Sequence, residues 1–164
     1  MKEDMDDKKL HRVCFTGHRT NKLGMSEKEV KERTRKAVRQ AIADGFVTFV
    51  TGMCKCFDLF AAEVVLEEKK TNPGIHLICA SPYGGYEKRW SEEDRKRYHN
   101  VMAQADYVKY VCNHYSRSCF QIRNIYMVER SSRVIAAYNG SAGGTRNTIE
   151  YAKRKGIEIF NIFK

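Results

Sequence analysis

Two rhythms of apolar and polar residues take turns along this chain. Short apolar or β-branched runs, bounded by turn residues, predict strands at RVCFT (12–16), FVTFVT (46–51), IHLICA (75–80), DYVKYVC (106–112), RVIAAY (133–138) and EIFNIF (158–163). Between them the spacing changes to that of helices. In SEKEVKERTRKAVRQAIADG, Val30, Ala37, Val38, Ala41 and Ile42 share one helical face. Ser26 opens that helix with Glu29 three residues on, as a capping box, and Gly45 stops it. DLFAAEVVLEEKK from Asp58, the Ser91-capped SEEDRKRYHNVMAQA, CFQIRNIYMVERS (119–131) and TRNTIEYAKRKG read as further helices. Strands alternating with helices predict an α/β domain. Its sheet is mainly parallel, of about six strands, with helices on both faces and right-handed crossovers. Residues 11–164 read as this single domain, and residues 1–10, charged almost throughout, as a flexible lead-in.

Composition removes several function classes. No apolar run approaches the ~20 residues a membrane helix needs. The N-terminus lacks the apolar core of an export signal, so a cytoplasmic protein without membrane partners is expected. The cysteines, Cys14, Cys54, Cys56, Cys79, Cys112 and Cys119, are expected to be reduced thiols. Cys54-Lys55-Cys56 has no second pair and no matching histidine pair, so neither a metal nor a cofactor is expected. The formal net charge is +10. Solvated helix faces account for much of it, with a polyanion surface as the alternative.

In parallel sheets, ligands bind beyond the carboxyl ends of the strands, near a switch in strand order. Three strand-to-helix loops share a composition. Thr16-Gly17-His18-Arg19 follows the first strand, Thr51-Gly52 followed by Asp58 the second, and Gly143-Gly144-Thr145 the fifth. Glycine permits positive φ and close backbone approach, and the N–H groups that open a helix attract anions. Arg19 supplies a forked donor, and Thr145 either a cap or a phosphate contact. His18 reads as a backbone-bonded histidine, with a base or phosphate role as the alternative. Asp58 is open between a helix N-cap and an acceptor for ribose hydroxyls. Glu63 reads as a support for the loops. Tyr83, Tyr86, Arg89 and Trp90 in the third loop could stack on a base, or form a lid packed on the protein itself. Neither a G-x-G-x-x-G turn nor a G-x-x-x-x-G-K-[ST] phosphate loop is present.

FTGHRTNKLG (15–24), TGMCKCFDLFAAE (51–63), SPYGGYEKRW (81–90), RNIYMVERS (123–131) and YNGSAGGTRNTIEYAK (138–153) occur in this order. Together they resemble the YpsA-like family of the SLOG superfamily, which also holds the Lonely Guy phosphoribohydrolases and the DNA-processing Smf proteins. The resemblance implies a Rossmann-like three-layer sandwich that binds a nucleotide or nucleotide derivative. It implies a site at Gly17, His18, Arg19, Gly52, Asp58, Gly143, Gly144 and Thr145, and a family motif at Arg123 and Asn124. Two departures stand out. Cys56-Phe57-Asp58 replaces Gly-Val-Asp, and Thr148 stands where the superfamily's enzymes have Glu.

The leading expectation is therefore a nucleotide-binding module, with a sensor or regulatory role open. A phosphoribohydrolase is the second reading, with Asp58 or Glu150 as its candidate carboxylate. Single-stranded nucleic-acid binding is the third. Homo-oligomerisation is left open.

Overall fold

The protein is described by a computed structural model covering residues 8–163. The lead-in expected at 1–10 lies, up to residue 7, outside the described residues. The strands are β1 (Arg12–Gly17), β2 (Thr48–Thr51), β3 (His76–Ser81), β4 (Tyr107–Tyr110), β5 (Arg133–Ala137) and β6 (Glu158–Asn161). The helices are α1 (Thr20–Leu23), α2 (Glu27–Ala43), α3 (Phe57–Lys69), α4 (Glu92–Gln104), α5 (Cys119–Glu129) and α6 (Gly144–Arg154). Every expected strand and helix is present. The added element is α1, a single turn between β1 and α2.

The six strands form one sheet in the order β4-β3-β2-β1-β5-β6, and every neighbouring pair is parallel. Alternation along the strands sorts side chains into two cores. Val13, Phe15, Phe49, Leu77, Ile135 and Ala137 point to one face, under α2, α3 and α4. Cys14, Val50, Ala80, Val134 and Ala136 point to the other, under α5 and α6. The result is the parallel sheet with helices on both faces that the alternation predicted, in the Rossmann-like three-layer sandwich that the resemblance implied.

Local chemistry fixes the helix ends. Ser26 accepts from the Glu29 N–H at 3.1 Å, and Ser91 from the Asp94 N–H at 3.2 Å. The capping box is half made, because the Glu29 carboxylate pairs with Arg33 at 2.9 Å instead of turning back. Gly45, at φ +97, ends α2. Glu63 does not support the loops: it pairs with Arg97 of α4 and, at 3.5 Å, with Lys31 of α2, tying three helices together.

The strand order creates the site. The chain steps outward from β1 through β2 and β3 to β4, then returns to place β5 on the opposite side of β1. The loops leaving β1 and β5 diverge to opposite faces of the sheet, so a crevice opens between them at the carboxyl edge.

Candidate functional site

A cleft of about 480 Å³ occupies that crevice, a size typical of small-ligand sites. The β1 loop contributes Thr16, Gly17, His18 and Arg19, and α1 adds Asn21 and Lys22. Gly143, Gly144 and Thr145 form the opposite wall, with Asp58, Cys54 and Asn124 also lining it. Gly143, the residue before α6, has φ 143 and ψ −168, a conformation that favours glycine. It opens α6 so that its first N–H groups, which have no carbonyl partner within the helix, border the cleft. No atom lies within 4 Å of where a Cβ on Gly143 or Gly144 would sit, so a ligand can approach the backbone. Arg19 and Lys22 are exposed cations on the rim. Free N–H groups, a helix dipole and two cations together suit an anion of phosphate type.

His18 is held from two sides. Its N–H donates to the Ala137 carbonyl at 2.9 Å, joining the β1 and β5 loops. Its ring lies 3.4 Å from Ser141 Oγ and 5.3 Å from the Tyr138 ring. Burial, and then the Lys22 charge, lower its imidazole below the ordinary value, so the neutral form is favoured. The β5 loop is braced by side chains that sequence reasoning passed over. Asn139 donates to the Lys22 carbonyl at 2.9 Å and accepts from the Ser141 N–H at 2.9 Å. Arg146 donates to Tyr138 Oη at 3.2 Å and to the Gly140 carbonyl at 2.5 Å. The Asn-Gly-Ser composition was the available signal for the asparagine turn.

The second Thr-Gly loop does something else. Thr51 and Gly52 are buried and do not line the cleft. A Cβ on Gly52 would lie 2.8 Å from Arg123 Nη1, so the missing side chain makes room for a guanidinium rather than a ligand. Arg123, only 3% exposed, donates to the Gly52 carbonyl, to Cys54 Sγ at 3.1 Å and to Asn124 Oδ1 at 2.8 Å. Thr51 Oγ1 donates to the Asp58 carbonyl at 3.0 Å. Asp58 is not the N-cap of α3. Cys56 holds that place, at φ 67 and ψ −112, while the Asp58 carboxylate accepts from the Cys54 N–H at 3.1 Å. Burial raises the Asp58 carboxyl above its ordinary value, with Arg123 working against the rise. The thiol in this wall is that of Cys54; Cys56 does not line the cleft.

The remaining candidates lie outside the cleft. Glu150 is exposed on α6, and Thr148 Oγ1 donates to the Gly144 carbonyl at 2.9 Å within its own helix. Among the described residues lining the cleft, Asp58 is the one carboxylate. Tyr83, Arg89 and Trp90 line a separate cavity beyond β3 and β4. No group of three or more His, Cys, Asp or Glu among the described residues is arranged to hold a metal. No helix among them is long and apolar enough to cross a membrane.

Known proteins resemble this chain in sequence and in fold. Two relatives are UPF0398 proteins, one from Halalkalibacterium halodurans and one from Bacillus thuringiensis, each 27% identical to this chain. The first alignment covers 87% of this chain and 80% of the relative, the second 91% and 85%. Among solved structures, DNA processing protein A from Streptococcus pneumoniae superposes with a TM-score of 0.65 at 18% identity. That match covers 95% of this chain and 51% of the other, so this chain spans about half the pneumococcal protein. DNA processing protein A from Helicobacter pylori, described for its single-stranded DNA binding mode, superposes with a TM-score of 0.67 at 20% identity, covering 96% and 67%. At such identities the likeness establishes the fold. A family model named YpsA, described as the YspA SLOG family, matches residues 13–161, so the chain belongs to that family.

Proposed function

We propose that the switch-point cleft binds the phosphate of a nucleotide. One observation carries this reading: the open N-terminus of α6 at Gly143 and Gly144 faces the Arg19 and Lys22 side of the β1 loop across one cleft. Phosphate oxygens accept from the α6 N–H groups, Thr145 and Thr16 add hydroxyl donors, and the cations neutralise the charge. Asp58 stays on the floor, occupied by the Cys54 N–H. Binding is favoured over hydrolysis, because Glu150 lies away from the cleft and Thr148 is bonded to its own helix.

A second reading concerns where the phosphate comes from. The net charge of +10 and a shared fold with a protein described for single-stranded DNA binding favour a nucleic-acid strand over a free nucleotide.

Calorimetry with inorganic phosphate, nucleoside monophosphates and short oligonucleotides tests both readings, on the native chain and on Gly144→Asp. An aspartate at the first position of a helix favours the fold through the dipole, and its Cβ meets no atom within 4 Å. Its charge would repel an anion there. Loss of binding in a folded variant is expected. Unchanged binding in Gly144→Asp, or no ligand binding below roughly millimolar, removes the phosphate site.

A further inference from the structure

A second cavity of about 480 Å³ opens on the same edge of the sheet, walled by Tyr83, Tyr86, Trp90 and Tyr115 and rimmed by Lys88 and Arg89. We propose that it is a nucleobase subsite for a single strand of nucleic acid whose neighbouring phosphate sits in the switch-point cleft. This rests on the phosphate reading of that cleft and adds what lies next to the phosphate.

The two cavities share a wall. Cys54 lines the cleft, and Tyr86 Oη donates to Cys54 Sγ at 3.6 Å. The Tyr86 ring meets Trp90 at 5.0 Å, and Lys55, next to Cys54, places Nζ 5.3 Å from the Trp90 ring centre. A chain leaving the cleft across this wall therefore passes a cation and arrives among aromatic rings. The rings meet edge to face: Tyr83 with Tyr115 at 74°, Tyr86 with Trp90 at 77°. An edge-to-face contact covers a face of only one ring of each pair, and Tyr115, 60% exposed, keeps ring surface on which a base can stack.

A duplex keeps its bases stacked within the helix, so a single strand is the form that can present one.

Trp90 is the single tryptophan of the chain, so its emission reports on this cavity. A short oligothymidylate is expected to quench it saturably. Thymidine monophosphate and inorganic phosphate are expected to bind without quenching. Tyr115→Ala changes a residue that is 60% exposed, so the fold should survive. It should weaken oligothymidylate binding about tenfold and leave phosphate binding unchanged. Oligothymidylate binding with unaltered Trp90 emission and no effect of Tyr115→Ala would overturn the subsite while the cleft stands. A free dinucleotide that binds and quenches as strongly as the oligonucleotide would overturn the strand. Oligothymidylate binding and quenching that persist in Gly144→Asp would overturn the link to the cleft, and the phosphate reading with it.

Discussion

Gly17 lies so close under Phe57 that a Cβ at position 17 would fall 2.5 Å from Phe57 Cδ1 and 2.7 Å from Cγ. The ring cannot retreat, because Phe57 is 1% exposed and packs edge-on against Phe15 at 6.1 Å. The glycine that begins the cleft is thus required by the core beneath it. Gly17→Ala is expected to lower stability by about 2 kcal/mol, as overpacked cores do. Gly144→Ala, which meets nothing within 4 Å, should be neutral or raise stability by up to ~1 kcal/mol. Urea midpoints of the two variants check the contrast, and equal losses would refute it.

Arg123 is the buried charge on which the floor of the site depends. Arg123→Met removes the donor to the Gly52 carbonyl and the countercharge of Asp58. A loss of about 3–5 kcal/mol at neutral pH is expected. Without Arg123, burial is opposed by the Cys54 hydrogen bonds but no longer by a positive charge, so the Asp58 carboxyl rises further. A raised acid contributes stability at low pH and loses it as pH rises through the folded value. The deficit of Arg123→Met should therefore shrink as pH falls toward the carboxylate range. Denaturant titrations at several pH values measure this, and a pH-independent deficit would speak against the pairing.

The fold was legible because the strands carry two superposed signals. Cys14 and Phe15, or Val50 and Phe49, are all apolar yet belong to opposite cores, as strands buried on both faces require. The single turn of α1 was invisible, since Thr20–Leu23 is too short to show a period. The β1 and β5 loops, singled out by their glycines, border one cleft. The β2 loop was misread for a physical reason. Gly52 does signal close approach, but the approaching group is Arg123, 71 residues further along the chain. A local sequence cannot say whether a ligand or a side chain fills the space that a glycine leaves. The same holds for Asp58, whose acceptor is occupied from within its own loop by Cys54.

Cys56 is a non-glycine residue in a backbone conformation, φ 67 and ψ −112, that suits glycine. Such a residue is strained by about 1–3 kcal/mol. Its thiol packs against the core, so removing it has a cost of its own. Comparing Cys56→Gly with Cys56→Ala separates the two effects, because both lose the thiol and only glycine relieves the backbone. Cys56→Gly is expected to be the more stable of the pair by about 1 kcal/mol, after the greater freedom of glycine in the unfolded chain is counted. Melting temperatures in the wrong order would dismiss the strain.

His18 gives the site a pH dependence with a definite sign. Burial, and then Lys22, hold its imidazole below the ordinary value of 6.5. The folded protein therefore binds the proton more weakly than the unfolded chain. Stability from this group is fully present above 6.5 and is lost as pH falls through the lower folded value. His18→Gln should flatten that part of the stability curve. A phosphate in the cleft acts in the opposite direction, because its negative charge favours the imidazolium. Saturating phosphate should then raise the His18 value, which imidazole resonances followed by NMR across the titration would report. An imidazole that titrates at the same pH with and without phosphate would place the anion elsewhere.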